Sequence, residues 1–179
     1  MTPQDRQAAF RELVSALHPP GNADLQPPEL SNWLVTATAP VGQIIDFHQR
    51  LRHRLPNARI AYLGNANRIN EILSILGTEA ADSFSFDDSS LLTQESIRPL
   101  IETIRLERFN CRCALMNNSL GIGYAEVFDA LLSIDNADFF TFDVNAVFRK
   151  WHPIEWIEVK SAQSELNTLL TEAYSTIGY

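Results

Sequence analysis

Short apolar runs alternate with amphipathic segments along most of this chain, and the alternation restricts the possible folds more than any other feature of the sequence. Runs rich in β-branched and aromatic residues indicate strands, and apolar residues that repeat with a helical period over about ten to fifteen residues indicate helices. The predicted strands span residues 33–39, 59–63, 83–86, 111–116, 138–144 and 156–159. The predicted helices span residues 41–55, 67–76, 96–109, 123–132 and 161–177.

Strands that alternate with helices of this length predict an α/β fold, in which crossover helices cover a largely parallel or mixed sheet. An α+β fold with an antiparallel sheet is the alternative, because several of the predicted strands alternate polar and apolar residues. The polar residues on these second strand faces are Thr36, Thr38, Ser83, Ser85 and Arg112.

The length of 179 residues fits a single globular domain over residues 1–179. Phe10, Leu13 and Leu17 repeat at helical spacing, which predicts an N-terminal helix over residues 1–17. Residues 18–31 contain four prolines and a glycine and predict a proline-rich loop. We therefore expect the N-terminal helix to form an arm beside the main body.

An excess of acidic over basic residues gives a formal net charge of -8 and an isoelectric point near 4.9. Such a surface repels phosphate backbones and anionic lipid headgroups, so we expect neither a nucleic acid nor a membrane as the partner. No apolar run reaches the length of a membrane span, and the N-terminus has no secretory pattern. These features predict a cytoplasmic protein, and no pattern in the sequence indicates its oligomeric state.

Two cysteines and two histidines are the side chains whose chemistry could suit a metal. Cys111 and Cys113 project from one face of a predicted strand, but two thiols without a second cluster indicate core residues rather than a zinc site. His48 lies on the apolar face of its helix and His53 on the polar face, so the pair is not placed to chelate a metal. We predict a buried, hydrogen-bonded His48, with no metal and no cofactor.

Two glycine-containing turns resemble phosphate-binding loops in part. Gly121 and Gly123 begin a pattern whose third position is occupied by Glu126 instead of a glycine, and an acidic residue there opposes phosphate binding. The segment from Gly64 to Arg68 is a better anion loop, because an arginine stands where a helix begins. An ordinary strand-to-helix turn explains the same residues.

An enzyme with a carboxylate-lined site at the carboxyl ends of its strands is the alternative function, since ligands usually bind there in α/β sheets. None of the familiar catalytic sequence motifs is present, so catalytic residues cannot be assigned from sequence. This alternative requires Asp87 and Asp143 to lie close together. Its candidate contributors are Asn65, Arg68, Asp87, Asp88, Asn117 and Asp143.

The segment from Trp151 to Trp156 contains a proline and predicts a loop in which tryptophans are hard to bury. Exposed tryptophans beside Glu155 and Glu158 would anchor a partner and select a basic one. A cluster that packs the C-terminal helix against the body explains the same residues equally well. The predicted partner patch comprises Trp151, Glu155, Trp156, Glu158, Asp87 and Asp88.

These features together favour a soluble, acidic protein-binding module over an enzyme. Complementary charge accelerates the association of such a protein with a basic partner. An immunity, inhibitor or adaptor protein would have this character.

Overall fold

Between Ser31 and Ile177, the described part of the chain forms six strands and six helices. The strands are β1 (Asn32–Thr36), β2 (Arg59–Asn65), β3 (Asp82–Phe86), β4 (Cys111–Leu115), β5 (Asp138–Phe142) and β6 (Phe148–Trp151). The helices are α1 (Val41–Arg54), α2 (Ala66–Leu76), α3 (Gln94–Ile97), α4 (Ile101–Leu106), α5 (Ala125–Leu132) and α6 (Pro153–Ile177). A 3-10 turn over Arg98–Leu100 joins α3 to α4.

The strands form one sheet in the order β3-β2-β1-β4-β5-β6. The first five strands are parallel, and β6 is antiparallel to β5. This arrangement confirms the predicted α/β fold with a mixed sheet, and the antiparallel α+β alternative is not what forms. β6 reverses direction because only residues 143–147 separate it from β5, and a parallel connection needs a dozen residues or more.

The computed structural model describes residues 31–77, 82–87, 91–119, 121, 123–135 and 137–177, together with Asp5, Ala8, Ala9, Arg11 and Glu12. Those N-terminal residues are helical, in agreement with part of the helix predicted over residues 1–17. The rest of that helix, and the proline-rich loop 18–31 apart from Ser31, lie outside the described residues. The N-terminal arm therefore stays a prediction.

Helices cover both faces of the sheet, which explains why the strands at its centre are largely apolar on both sides, with Thr36 and Arg112 as buried polar exceptions. On one face, α1 and α2 pack on the sheet through residues such as Phe47 and Ile72. On the opposite face, α3, α4, α5 and α6 pack through residues such as Ile104, Phe128 and Trp156. Among the described residues, no helix is both long and apolar enough to cross a membrane.

The helix predicted over residues 96–109 is wrong in its continuity and in its first residue. The helix begins at Gln94 with Thr93 as its N-cap. The Thr93 hydroxyl accepts from the Ser96 amide, and the Ser96 hydroxyl accepts from the Thr93 amide. Pro99 has no N–H to continue the helical hydrogen bonds, so the chain forms two short helices around a 3-10 turn.

The strand predicted over residues 156–159 is also wrong, because these residues lie in the first half of α6. The last strand of the sheet is instead β6, at the edge beside β5, which the sequence patterns do not predict. Trp156, Ala162 and Leu166 are buried at helical spacing, so a helix packs this segment on the body where an edge strand would leave it exposed.

Candidate functional site

The carboxyl edge of the sheet contains a point at which the chain leaves neighbouring strands in opposite directions. The chain from β1 enters α1 on one face, and the chain from β4 enters α5 on the other. Doubly wound sheets bind ligands in the crevice that such a divergence creates. We call this place the switch point.

Two threonines fill the base of the switch point. The last backbone pair between β1 and β4 is Val35 with Cys113, and beyond it the strands separate. The Leu115 amide donates to Thr36 Oγ1 over 3.1 Å, and Thr38 Oγ1 donates to the Leu115 carbonyl over 3.0 Å. The Oγ1 atoms of Thr36 and Thr38 lie 2.9 Å apart. Because the Thr38 hydroxyl donates its proton to Leu115, the Thr36 hydroxyl is the donor in this contact. A closed ring of three hydrogen bonds results, which we call the threonine ring.

A glutamine from α1 and a tyrosine from the start of α5 secure the loop that follows β4. Gln43 Nε2 donates to the Met116 carbonyl over 2.7 Å, and the Asn117 amide donates to the Tyr124 hydroxyl over 3.0 Å. Burial raises the pKa of Tyr124 above its ordinary value of 10.0. Gly121 and Gly123 turn this loop at φ angles of 67° and 83°. Neither Thr38 nor Gln43 was among the site residues that the sequence analysis identified.

The segment from Gly64 to Arg68 is an ordinary strand-to-helix turn. Asn65 Oδ1 accepts from the Arg68 amide and caps α2, while the Arg68 guanidinium lies 3.1 Å from Glu71. A Cβ on Gly64 would lie 2.7 Å from the Cβ of Ala37, so the close approach of β2 to the chain after β1 requires this glycine. The local packing therefore accounts for the residues that resembled an anion loop.

The carboxylates that the enzyme alternative requires do not converge. Asp87 follows β3 and Asp143 follows β5, and the three strands between them separate the two ends by about 19 Å at the usual strand spacing. Asp143 is buried, and its Oδ1 accepts from the amides of Asn145 and Val147 in the β5–β6 turn. Asp88 lies outside the described residues. Asn117 is exposed on the loop after β4.

The cysteines and the histidine lie where the sequence predicts. Cys111 and Cys113 are buried in the core beneath α1, and burial raises the pKa of Cys111 to about 12 and that of Cys113 well above its usual range. His48 is buried, with Nδ1 2.8 Å from the Tyr62 hydroxyl, and His53 is exposed. Among the described residues, no group of three or more His, Cys, Asp or Glu side chains could hold a metal ion.

The prediction that Trp151 and Trp156 are exposed anchors is wrong. Trp151 is buried and donates to Thr141 Oγ1, and Trp156 is buried and donates to Asp129 Oδ1 over 3.2 Å. Trp156 also packs edge-on against Phe128, with the ring centroids 4.4 Å apart. These two tryptophans attach α6 and β6 to the body, as the packing alternative expects.

The glutamates predicted in the same patch remain on the surface, but the helix places them differently. Glu155 lies in the first turn of α6 and accepts from the His152 amide, and Glu158 follows one turn later. Glu165 and Glu172 extend the row at intervals of seven residues, which place them on one side of the helix about 10.5 Å apart. All four are exposed, whereas Asp87 follows β3, at the opposite edge of the sheet from β6. We call Glu158, Glu165 and Glu172 the acidic stripe.

Many of the basic side chains contact carboxylates of the same chain. The cations within 4.0 Å of a carboxylate are Arg50, Arg59, Arg68, Arg105, Arg112, Lys150 and Lys160. Lys160 is the basic residue of α6, and its ammonium contacts Asp129 on α5.

Comparison with known proteins does not assign this α/β chain to a family. No family model matches it, and no curated protein matches it. Solved structures similar to this chain include maleylacetate reductase from Agrobacterium tumefaciens, at 19% identity and a TM-score of 0.37 over 74% of this chain. This chain spans 41% of the length of that reductase.

A second similar structure comes from the PezAT chromosomal toxin-antitoxin system of Streptococcus pneumoniae. It has 8% identity and a TM-score of 0.37, and the match covers 94% of this chain and 98% of that one. At such low identities and TM-scores, neither likeness carries an argument about function.

Proposed function

We propose that this protein is a binding module for another protein with a basic surface, and that the acidic stripe on α6 is its main contact. The observation that carries the proposal is the seven-residue spacing of Glu158, Glu165 and Glu172 along an exposed side of a 25-residue helix. Carboxylates at regular intervals on a rigid element present a field that attracts and orients a basic partner.

The attachment of α6 supports this proposal, because a contact surface needs a rigid support. Trp156, Ala162 and Leu166 fix one side of the helix to the body, and the Lys160 contact with Asp129 adds a polar attachment. The opposite side remains exposed through Ile157, Ser161, Ser164 and Thr168. A partner could therefore approach Ile157, which is 70% exposed, together with the stripe.

Substitution of stripe glutamates by uncharged glutamine, which has nearly the same shape, tests the proposal. The full chain, immobilised as bait, is exposed to lysate of its source organism, and proteins retained by the wild type are compared with those retained by Glu158→Gln/Glu165→Gln. The matched control is Glu95→Gln/Glu126→Gln, which removes the same charge from exposed positions on α3 and α5. We expect a basic partner on the wild type and the control, and its loss from the stripe variant.

Either of two results would contradict the proposal. A partner retained equally by the stripe variant and the control would show that the stripe is not the contact. A specifically retained partner with an acidic surface would show that charge attraction is not the basis of recognition.

A further inference from the structure

Helix α6 is longer than the sheet that it packs on. Its 25 residues extend over about 37 Å at the rise of an α-helix, whereas the seven residues of β2, the longest strand, extend over about 23 Å. α6 begins two residues after Trp151, which pairs with Phe139 near the amino end of β5. A helix that starts at this edge and follows the strands passes their carboxyl ends by about 14 Å, or more than two turns.

The apolar pattern of α6 continues into this last part of the helix. Trp156, Ala162 and Leu166 pack in the core, and Leu166 is the last side chain of α6 that is buried among those the structure describes. The sequence continues the same helical spacing, and Leu169 is half-buried. The apolar residues after Leu166 are Leu169, Leu170, Ala173 and Ile177. An amphipathic helix is stabilised when its apolar face packs against another surface, and the strands end before these turns.

The acidic stripe runs along one border of this apolar face. Glu165 and Glu172 directly precede Leu166 and Ala173, so they lie about 100° around the helix from them. Both glutamates are exposed. In paired helices, charged residues at such flanking positions contact opposite charges on the neighbouring helix and determine which partner is bound. A neighbour of α6 at this place therefore needs basic residues beside its own apolar face.

We propose that the partner recognised by the acidic stripe presents an amphipathic helix, which packs its apolar face on the last turns of α6 and places Lys or Arg opposite Glu165 and Glu172. This inference rests on the proposed function and adds the form of the partner's contact surface. The spacing favours a helix over an extended segment. Glutamates about 10.5 Å apart match the seven-residue repeat of a packed helix, whereas side chains on one face of a strand repeat about every 6.6 Å.

Binding of synthetic peptides to the full chain, measured by isothermal titration calorimetry, tests this proposal. The basic helical peptide is three heptads long, with leucine at the two apolar positions of each heptad and lysine at the flanking positions, and repulsion between lysines keeps it from pairing with itself. An acidic peptide has glutamate in place of lysine. A rearranged peptide has the composition of the basic one, with its leucines at every second position. We expect the basic helical peptide to bind at least about tenfold more tightly than either of the others.

Variants of the chain identify the contact. Leu169→Gln should weaken binding of the basic helical peptide at least about tenfold, and Glu165→Gln at least about threefold. Leu106→Gln, at a position of α4 that is 81% exposed, is the matched control for Leu169→Gln and should leave binding unchanged. Glu126→Gln, at an exposed position of α5, is the control for Glu165→Gln. Because Glu165 is exposed, its variant tests the contact even where Leu169→Gln lowers stability.

The outcomes separate this inference from the proposed function. Equal affinity for the basic helical peptide and either of the other peptides would overturn the inference, as would wild-type affinity in both Leu169→Gln and Glu165→Gln. The inference is also wrong if the basic helical peptide does not bind. The proposed function then still stands if a basic partner from the lysate is retained by the wild type and lost from Glu158→Gln/Glu165→Gln.

Discussion

Arginine side chains hold the loops of this protein by reaching two carbonyl groups at once. Arg112 is buried on β4 and donates to the carbonyls of Leu131 and Ala137, with Asp135 3.7 Å away. Arg105 reaches the carbonyls of Ser133 and Ile134 in the same segment. A planar guanidinium can span two acceptors in this way, whereas an ammonium acts as a point charge.

Loss of the Arg112 guanidinium should therefore destabilise the connection between α5 and β5. Burial lowers the pKa of Arg112, but nearby Asp135 and Asp138 oppose that shift and favour the charged form. We expect Arg112→Met to lower the free energy of unfolding by about 3 kcal/mol, because it removes both hydrogen bonds of a buried guanidinium and its attraction to Asp135.

Urea denaturation followed by tryptophan fluorescence measures this effect. Arg68→Met is the control, since it removes an exposed pair with Glu71 and should change the free energy of unfolding by no more than about 0.5 kcal/mol. Equal stability of the two variants would show that the Arg112 contacts do not support the fold.

The buried thiols make stability sensitive to alkaline pH. Burial raises the pKa of Cys111 to about 12 from an ordinary value of 9.0, and raises that of Cys113 as well. The unfolded chain therefore loses these protons above pH 9, while the folded chain keeps them. Their contribution to stability is complete below pH 9 and is lost as pH rises towards 12.

Free energies of unfolding measured at pH 8 and pH 10 test this prediction. We expect a decrease of up to about 1.4 kcal/mol per pH unit for each thiol, and a smaller decrease in Cys111→Ala/Cys113→Ala. A slope that is identical in the wild type and the double variant would rule out the thiols as its cause.

At the scale of single residues, the sequence predicted the burial of two cysteines and one histidine correctly, but it predicted exposure for two larger tryptophans that are buried. His48, Cys111 and Cys113 are buried as their positions on apolar faces predict. Trp151 and Trp156 are also buried, because Thr141 and Asp129 accept their indole protons. These acceptors come from other elements, so the sequence around the tryptophans could not show them.

At the scale of elements, the threonine ring joins β1 to β4 where their backbone hydrogen bonds end. Thr36→Val would leave the buried Leu115 amide without its acceptor, and Thr38→Val would leave the Leu115 carbonyl without its donor. Each should lower the free energy of unfolding by about 1–3 kcal/mol. Because both hydroxyls belong to one ring, the double variant should lose less than the sum, by at least about 0.5 kcal/mol.

The same denaturation measurements, arranged as a double-mutant cycle, test the ring. Thr103→Val, at an exposed position of α4, serves as the control and should not couple to Thr36→Val. Additive effects of the Thr36 and Thr38 substitutions would mean that the two hydroxyls act independently.

The element boundaries show which parts of the structure depend on distant contacts. β2, α1 and α2 match their predicted positions within two residues, since their apolar patterns suit the faces they bury. α6 begins at Pro153, well before the predicted residue 161, because Trp156 in its first turn packs against Phe128 on α5. β6 has only four residues and depends on its pairing with β5, so its own sequence carries little indication of a strand.

At the scale of the whole molecule, alternation predicted the α/β class, but the order of strands could not be inferred from it. The order places β3, with Asp87 after it, four strand positions away from β5, which Asp143 follows, and it brings β1 next to β4. The two carboxylates of the predicted site therefore do not meet. The acidic stripe was partly visible in the sequence, because Glu158, Glu165 and Glu172 repeat at a spacing that only a continuous helix aligns.

The salt dependence of association tests the role of the acidic stripe most directly. For the basic partner retained by the wild-type chain, the association rate constant is measured at low and high ionic strength for the wild type, Glu158→Gln/Glu165→Gln and Glu95→Gln/Glu126→Gln. We predict a rate that falls steeply with salt for the wild type and the control, and a slower rate with a weaker salt dependence for the stripe variant. Equal rates and equal salt dependence for all three proteins would contradict the account.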